Sequence, residues 1–146
     1  VNGTKIVKAE ELLAEHGLSM DFLRSLHVSD QYQYVYIVTA TFDYEGDRDP
    51  LANAVDLSGM KVVGPDFYLN FSTEINQIKG LNPKLEGNHM FSIGSGKPIE
   101  IVLPFLVDTE SVRATTPEYL GNSELKLLIS TYPDEVYIKL DSHLNK

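Results

Sequence analysis

The run from Gln31 to Tyr44, QYQYVYIVTATFDY, limits the fold of this chain more than any other stretch. It is built largely from β-branched and aromatic residues, which suit a pleated, half-buried surface. Its even positions are Tyr32, Tyr34, Tyr36, Val38, Ala40, Phe42 and Tyr44; its odd positions are Gln33, Val35, Ile37, Thr39, Thr41 and Asp43. The odd face turns polar toward the end, so the even face is expected to point inward there. Both faces are apolar in the middle, which predicts a central strand covered on both sides.

Shorter strands follow. Val55 to Val63 hints at one, and Phe67, Leu69 and Phe71 alternate with Tyr68, Asn70 and Ser72 as a half-buried strand should. Met90 to Ile93 is a short strand before the turn Gly94-Ser95-Gly96-Lys97. Pro98 to Val107 puts Ile99, Ile101, Leu103, Phe105 and Val107 on one face. Pro104 cannot donate to a ladder, which places this strand at an edge or a bulge. Leu125 to Thr131 and Glu135 to Leu140 read as a closing hairpin around Tyr132-Pro133-Asp134. The expected core is Val38, Ala40, Phe42, Leu69, Phe71, Ile101, Leu103, Phe105, Leu127, Ile129 and Ile138.

Helix signals are confined to the start. Ala9 to His16 has an acidic first turn and Gly17 in a capping position; Ser19 is placed to cap a second turn carrying Phe22, Leu23 and Leu26. Leu12, Leu13, Phe22 and Leu26 are expected to cover an open end or edge of the sheet. With almost no helix expected after residue 26, the pattern predicts a mainly all-β fold. The expected architecture is an antiparallel β-sandwich with a short helical N-terminal segment, a closed barrel being the alternative. No linker or repeat divides the chain. We read residues 1–146 as one domain, with residues 1–30 packed on the sandwich, large enough to hold a core without disulfides or metal.

Charge and composition narrow the function classes. Lys and Arg number 12 against 21 acids, a net charge of −9, and the cations are scattered. A phosphate-tracking surface needs them clustered, so nucleic acid is excluded as a partner. There is no cysteine, hence no thiol nucleophile or Cys-ligated zinc. No apolar run is long enough for a transmembrane helix, so no direct membrane insertion of this domain is expected. The chain begins at Val1, as a processed or trimmed product would, and a leader or lipid-bearing residue is expected upstream.

Candidate sites are few. Asp43, Glu45, Asp47 and Asp49 alternate around Gly46, a spacing that suits a calcium ion. The loop has no closing acid and carries Arg48, so a solvated hairpin turn is the plainer reading, with no cofactor. Tyr32, Tyr34 and Tyr36 offer a stacking platform for a sugar or peptide, unless they point into the core. His16, His27, His89 and His143 share no metal-binding spacing. Gly94-Ser95-Gly96 is no nucleophile elbow, because it precedes a strand. Catalysis would need an Asp or Glu brought to His89 or His143 by the fold.

One resemblance rests on particular segments. Gly94-Ser-Gly-Lys-Pro-Ile-Glu-Ile-Val-Leu-Pro-Phe-Leu-Val107, then Leu125 to Pro133 and Val136 to Leu140, follow Tyr34 to Phe42 and its Gly-Asp turn. This layout, over about residues 32–140, resembles the immunoglobulin-like, telokin-like domains of unknown function in cell-envelope lipoproteins of Gram-positive bacteria. The resemblance implies an extracellular, surface-anchored, non-enzymatic domain and supplies no catalytic residues. The expectation is therefore a binding module for a protein, peptide or glycan partner at the cell envelope. The alternative is a hydrolase acting on cell-wall or carbohydrate substrate through an Asp/Glu–His pair.

Overall fold

The computed structural model describes residues 1–28, 32–42, 54–65, 67–78, 80–92, 98–108, 118, 120, 123–130 and 136–140. The described chain is mainly antiparallel β with a few short helices. Strand β1 (Gly3–Lys8) leads into helices α1 (Ala9–Glu15) and α2 (Met20–Ser25), then into β2 (Tyr32–Phe42). Next come β3 (Ala54–Asp56), a 3-10 turn (Leu57–Gly59), β4 (Lys61–Val63), β5 (Tyr68–Asn70), α3 (Thr73–Asn76) and a second 3-10 turn (Pro83–Leu85). The last strands are β6 (Met90–Ser92), β7 (Ile99–Asp108), β8 (Lys126–Ser130) and β9 (Val136–Lys139).

Among the described residues three sheets form, ordered β1-β2-β7, β3-β6 and β5-β4-β8-β9. The central place of β2 follows from its two apolar faces. Tyr36, Val38 and Ala40 share one core with Ile101, Leu103 and Phe105 of β7 and with Val62, Leu69 and Leu127 of the four-stranded sheet. Of the expected core, Phe42 and Ile129 are partly buried against this cluster, and Ile138 lies outside the side chains described. Phe71 and Phe105 meet edge to face at 6.1 Å.

Val35 and Ile37, on the odd face of β2, join a second core with Ala9, Leu12, Leu13, Leu23, Ile75 and Ile78. The N-terminal helices therefore cover a face of the sheet, not its end or edge. Their expected caps are present. The Gly17 N–H bonds Ala14 O and the Leu18 N–H bonds Leu13 O, the paired bonds of a glycine C-cap, with Gly17 at φ 71°. Ser19 Oγ accepts from Asp21 N–H at 3.3 Å.

Two expectations change. Helix does recur after residue 26, because the buried Ser72 caps α3 through Ile75 N–H and so ends the strand begun at Tyr68. The 55–63 hint divides into β3 and β4, which enter different sheets, because Asp56 caps the 3-10 turn between them.

β7 is the outer strand of its sheet, as Pro104 requires. The Pro104 carbonyl accepts from Ser72 N–H at 2.8 Å on the side away from β2. In a strand the N–H and C=O of one residue point the same way, so the missing N–H also falls on that side. The ladder with β2 loses nothing.

Candidate functional site

Where β2 begins, its pairing with β7 shifts: Tyr32 stands opposite Asp108, and Tyr34 opposite Val107. Gln33 is the extra residue of a β-bulge. Bulges turn a strand's first residues out of register and re-aim their side chains. By register, Tyr34 shares a face with Val107 and Tyr32 falls on the opposite one.

This shift decides what the three tyrosines can do. Tyr36 is fully buried in the main core and Tyr34 is half-buried against it, while Tyr32 sits across the bulge. They do not form one exposed platform, because the bulge interrupts the alternation that would align them. Tyr34 instead lines an open depression of about 380 Å³ with Lys8, Glu10, Met20, Arg24 and Gln33. That volume is within the range of small-ligand sites.

Each wall has a local cause. Lys8 ends β1 and stands in register opposite Tyr34. Glu10 is in the first turn of α1, where a carboxylate suits the helix dipole. Met20 opens α2, half-buried against the second core. Arg24, one turn on, holds Asp21 at 2.7 Å. The lining thus combines cations, a carboxylate, an amide and a phenol with the Met20 thioether, a mainly polar set suited to orienting a polar or peptide ligand. Only Tyr34 is legible as a site residue in sequence. The other five come together through a bulge and a helix crossing that no local motif marks.

The fold also brings His89 to a carboxylate. Its Nδ1 lies 3.0 Å from Asp56 Oδ1, and both side chains are substantially exposed. Ser58 donates to the same oxygen through its hydroxyl at 2.7 Å and its backbone N–H at 2.9 Å. The Ser58 side chain, then its backbone, then His89 hold the Asp56 carboxyl below the usual aspartate range, against a small opposing effect of burial. Ser58 bonds the acid rather than the imidazole, so the three residues cap a turn and form no nucleophile–base pair.

Asp43, Glu45, Asp47 and Asp49, His143 and the Gly94–Gly96 turn lie outside the described residues. Among the described residues no group of three His, Asp or Glu side chains could hold a metal ion. No described helix is long and apolar enough to cross a membrane.

Comparison with protein families matches residues 1–135 to a domain of unknown function, DUF5028. The chain belongs to the DUF5028 family. The match takes in the second core, the main core apart from Leu140, the N-terminal helices and all six residues of the depression, so the helical segment is part of the DUF5028 domain and no appendage to it. No curated protein and no solved structure matches the chain.

Proposed function

We propose that this DUF5028 domain is a non-enzymatic binding module, an immunoglobulin-like scaffold displayed on the cell envelope as part of a surface lipoprotein. The depression at the β2 bulge is its ligand site. The observation that carries the reading is the depression itself: a ligand-sized hollow built on two strands and two helices, lined mainly by converging polar and charged groups beside Met20 and Tyr34. The envelope setting draws on the resemblance of residues 32–140 to lipoprotein domains, and the partner class is a protein, peptide or glycan found there.

The test is to label the domain with 15N and titrate it with cell-wall glycan fragments, peptides and culture-medium proteins. Shifts clustered at Lys8, Met20, Gln33 and Tyr34, weakened in Tyr34→Ala and Gln33→Ala, are the expected result. Binding that maps elsewhere sinks the site. Protease treatment of intact cells should remove the domain if it is displayed outside, and its survival would count against the envelope setting.

A second reading, hydrolysis of a cell-wall or carbohydrate substrate, draws on the Asp56–His89 pair. Turnover abolished by His89→Ala would favour it over binding.

A further inference from the structure

Several polar side chains around the β1-β2-β7 sheet serve the chain itself. The Asn82 amide accepts from Val102 N–H and donates to Val102 O, each at 2.8 Å, and so takes the place of a neighbouring strand along β7. At the end of the sheet away from the bulge, Asn2 donates to Thr41 Oγ1 and to Glu100 Oε2, each at 2.8 Å. The depression at the bulge differs. Among the described residues, its Lys8, Glu10, Gln33 and Tyr34 side chains have no hydrogen-bond or ion-pair partner.

Both signs of charge meet around this hollow. Lys8 and Arg24 are cations, Glu10 is a carboxylate, and Asp21 holds Arg24 from outside the lining. Two cations thus stand against two carboxylates: the site is neutral as a whole but carries separate positive and negative groups. Only charges within reach of one ligand count here, because exposed charges are screened beyond about 8 Å at physiological salt.

A ligand of one sign leaves part of this set unmatched. An anion would meet Lys8 but sit beside Glu10, and a cation would meet Glu10 but face Lys8 and Arg24. An uncharged glycan would displace water from these groups and pair none of them, and an unpaired charge taken out of water is costly. Tyr34 is half-buried and Tyr32 lies on the opposite face, so no flat aromatic surface compensates a sugar. A ligand bearing one carboxylate and one ammonium matches both signs.

The remaining lining narrows that ligand. The Gln33 amide donates and accepts at once, as the partner of a peptide group must. Met20 and Arg24 stand one turn apart on α2 and so share a face. The flexible Met20 thioether therefore lies beside the cation, where it can pack on varied apolar side chains. At about 380 Å³ the hollow is at the small end of ligand sites, which keeps the ligand short.

We infer that the depression takes a short peptide with both termini free, its carboxylate on the Lys8 and Arg24 side and its ammonium on Glu10. This rests on the depression being the binding site and adds the chemical class of what it holds.

The probe is the dipeptide Ala-Leu in four forms: free, N-acetylated, C-amidated and capped at both ends. Calorimetry and 15N shifts are followed at neutral pH, where a free carboxyl and a free amino terminus, titrating at about 3.5 and about 8, are both charged. The free form should bind with shifts at Lys8, Met20, Gln33 and Tyr34, and either cap should weaken it about tenfold. Lys8→Gln should remove most of the loss caused by amidation and keep the loss caused by acetylation; Glu10→Gln should do the reverse. Both positions are exposed, and Lys8 makes no side-chain bond at the α1 N-cap, so melting temperatures should stay close to wild type.

Equal binding of the doubly capped form at these four residues overturns the zwitterionic ligand but leaves the depression a binding site. Shifts at the same residues with a glycan fragment, and with no dipeptide, do likewise. Capping losses that persist unchanged in both variants overturn the roles given to Lys8 and Glu10. Shifts confined to the second hollow, of about 300 Å³ and lined by Asn2, Lys5, Ile37 and Thr39, overturn both the site and its ligand.

Discussion

Asp56 does several things with one carboxylate. It caps the 3-10 turn Leu57–Gly59, accepts both Ser58 donors and pairs with His89 across the β3–β6 ladder. Asp56→Ala should cost about 1 kcal/mol at neutral pH, the usual worth of such a cap. The Ser58 and His89 contacts lower the folded pKa, so this stabilisation is fully present above the unfolded aspartate value of about 4. It is lost as pH falls through the lower, folded value. Urea melts of wild type and variant from neutral down to about pH 2 should converge; a gap that stays constant would show that the ionised carboxylate is not what stabilises the turn. Helix ends show the same limit on reading single residues. Gly17 signals its left-handed C-cap in sequence, but His27 takes that conformation too, at φ 64°, with His27 and Val28 N–H bonded to Arg24 O and Leu23 O.

Among the elements, β7 is the one whose neighbours sequence cannot supply. Pro104 marks it as an edge strand, and it is one. What seals that edge is a side chain twenty residues upstream. Asn82 is buried and also donates to Asn76 Oδ1 at 3.2 Å, while Asn76 donates to Asn88 O. Asn82→Ala would strand the Val102 N–H and C=O together, at a cost of about 2–4 kcal/mol. It would also open a flat edge to aggregation. Asn82→Asp should fare no better, because an acceptor would then face the Val102 carbonyl. Urea melts with sedimentation velocity check both. A loss below about 0.5 kcal/mol for either would show that water replaces the amide and that the edge does not depend on it.

Across the whole molecule the β1-β2-β7 sheet is shared property. Leu13 lies in the core beneath the helices and Phe105 in the core between the sheets, and neither is exposed to solvent. Truncation to Ala should cost about 2–5 kcal/mol at Leu13 and about 3–5 at Phe105. Because β2 supplies both cores, each variant should still unfold in one transition. Far-ultraviolet circular dichroism and tyrosine fluorescence should give coincident curves. Helices melting ahead of the sheet in Leu13→Ala would show that the two cores are independent.

The β character of this chain, its central strand and most of its main core were legible in residues alone. Alternation with a period of two is a local property, and Val38, Leu103, Phe105 and Leu127 obey it. The early helices were legible too, through Ser19 and Gly17. Which face those helices cover depended on the apolar odd side of β2 having no other partner. The tyrosine run showed the limit most directly. Its spacing puts Tyr32, Tyr34 and Tyr36 on one face, but one extra residue at Gln33 separates them and leaves Tyr34 beside Lys8 and Arg24. A bulge is set by how two distant strands match in length and register, and that match exists only once the sheet has formed.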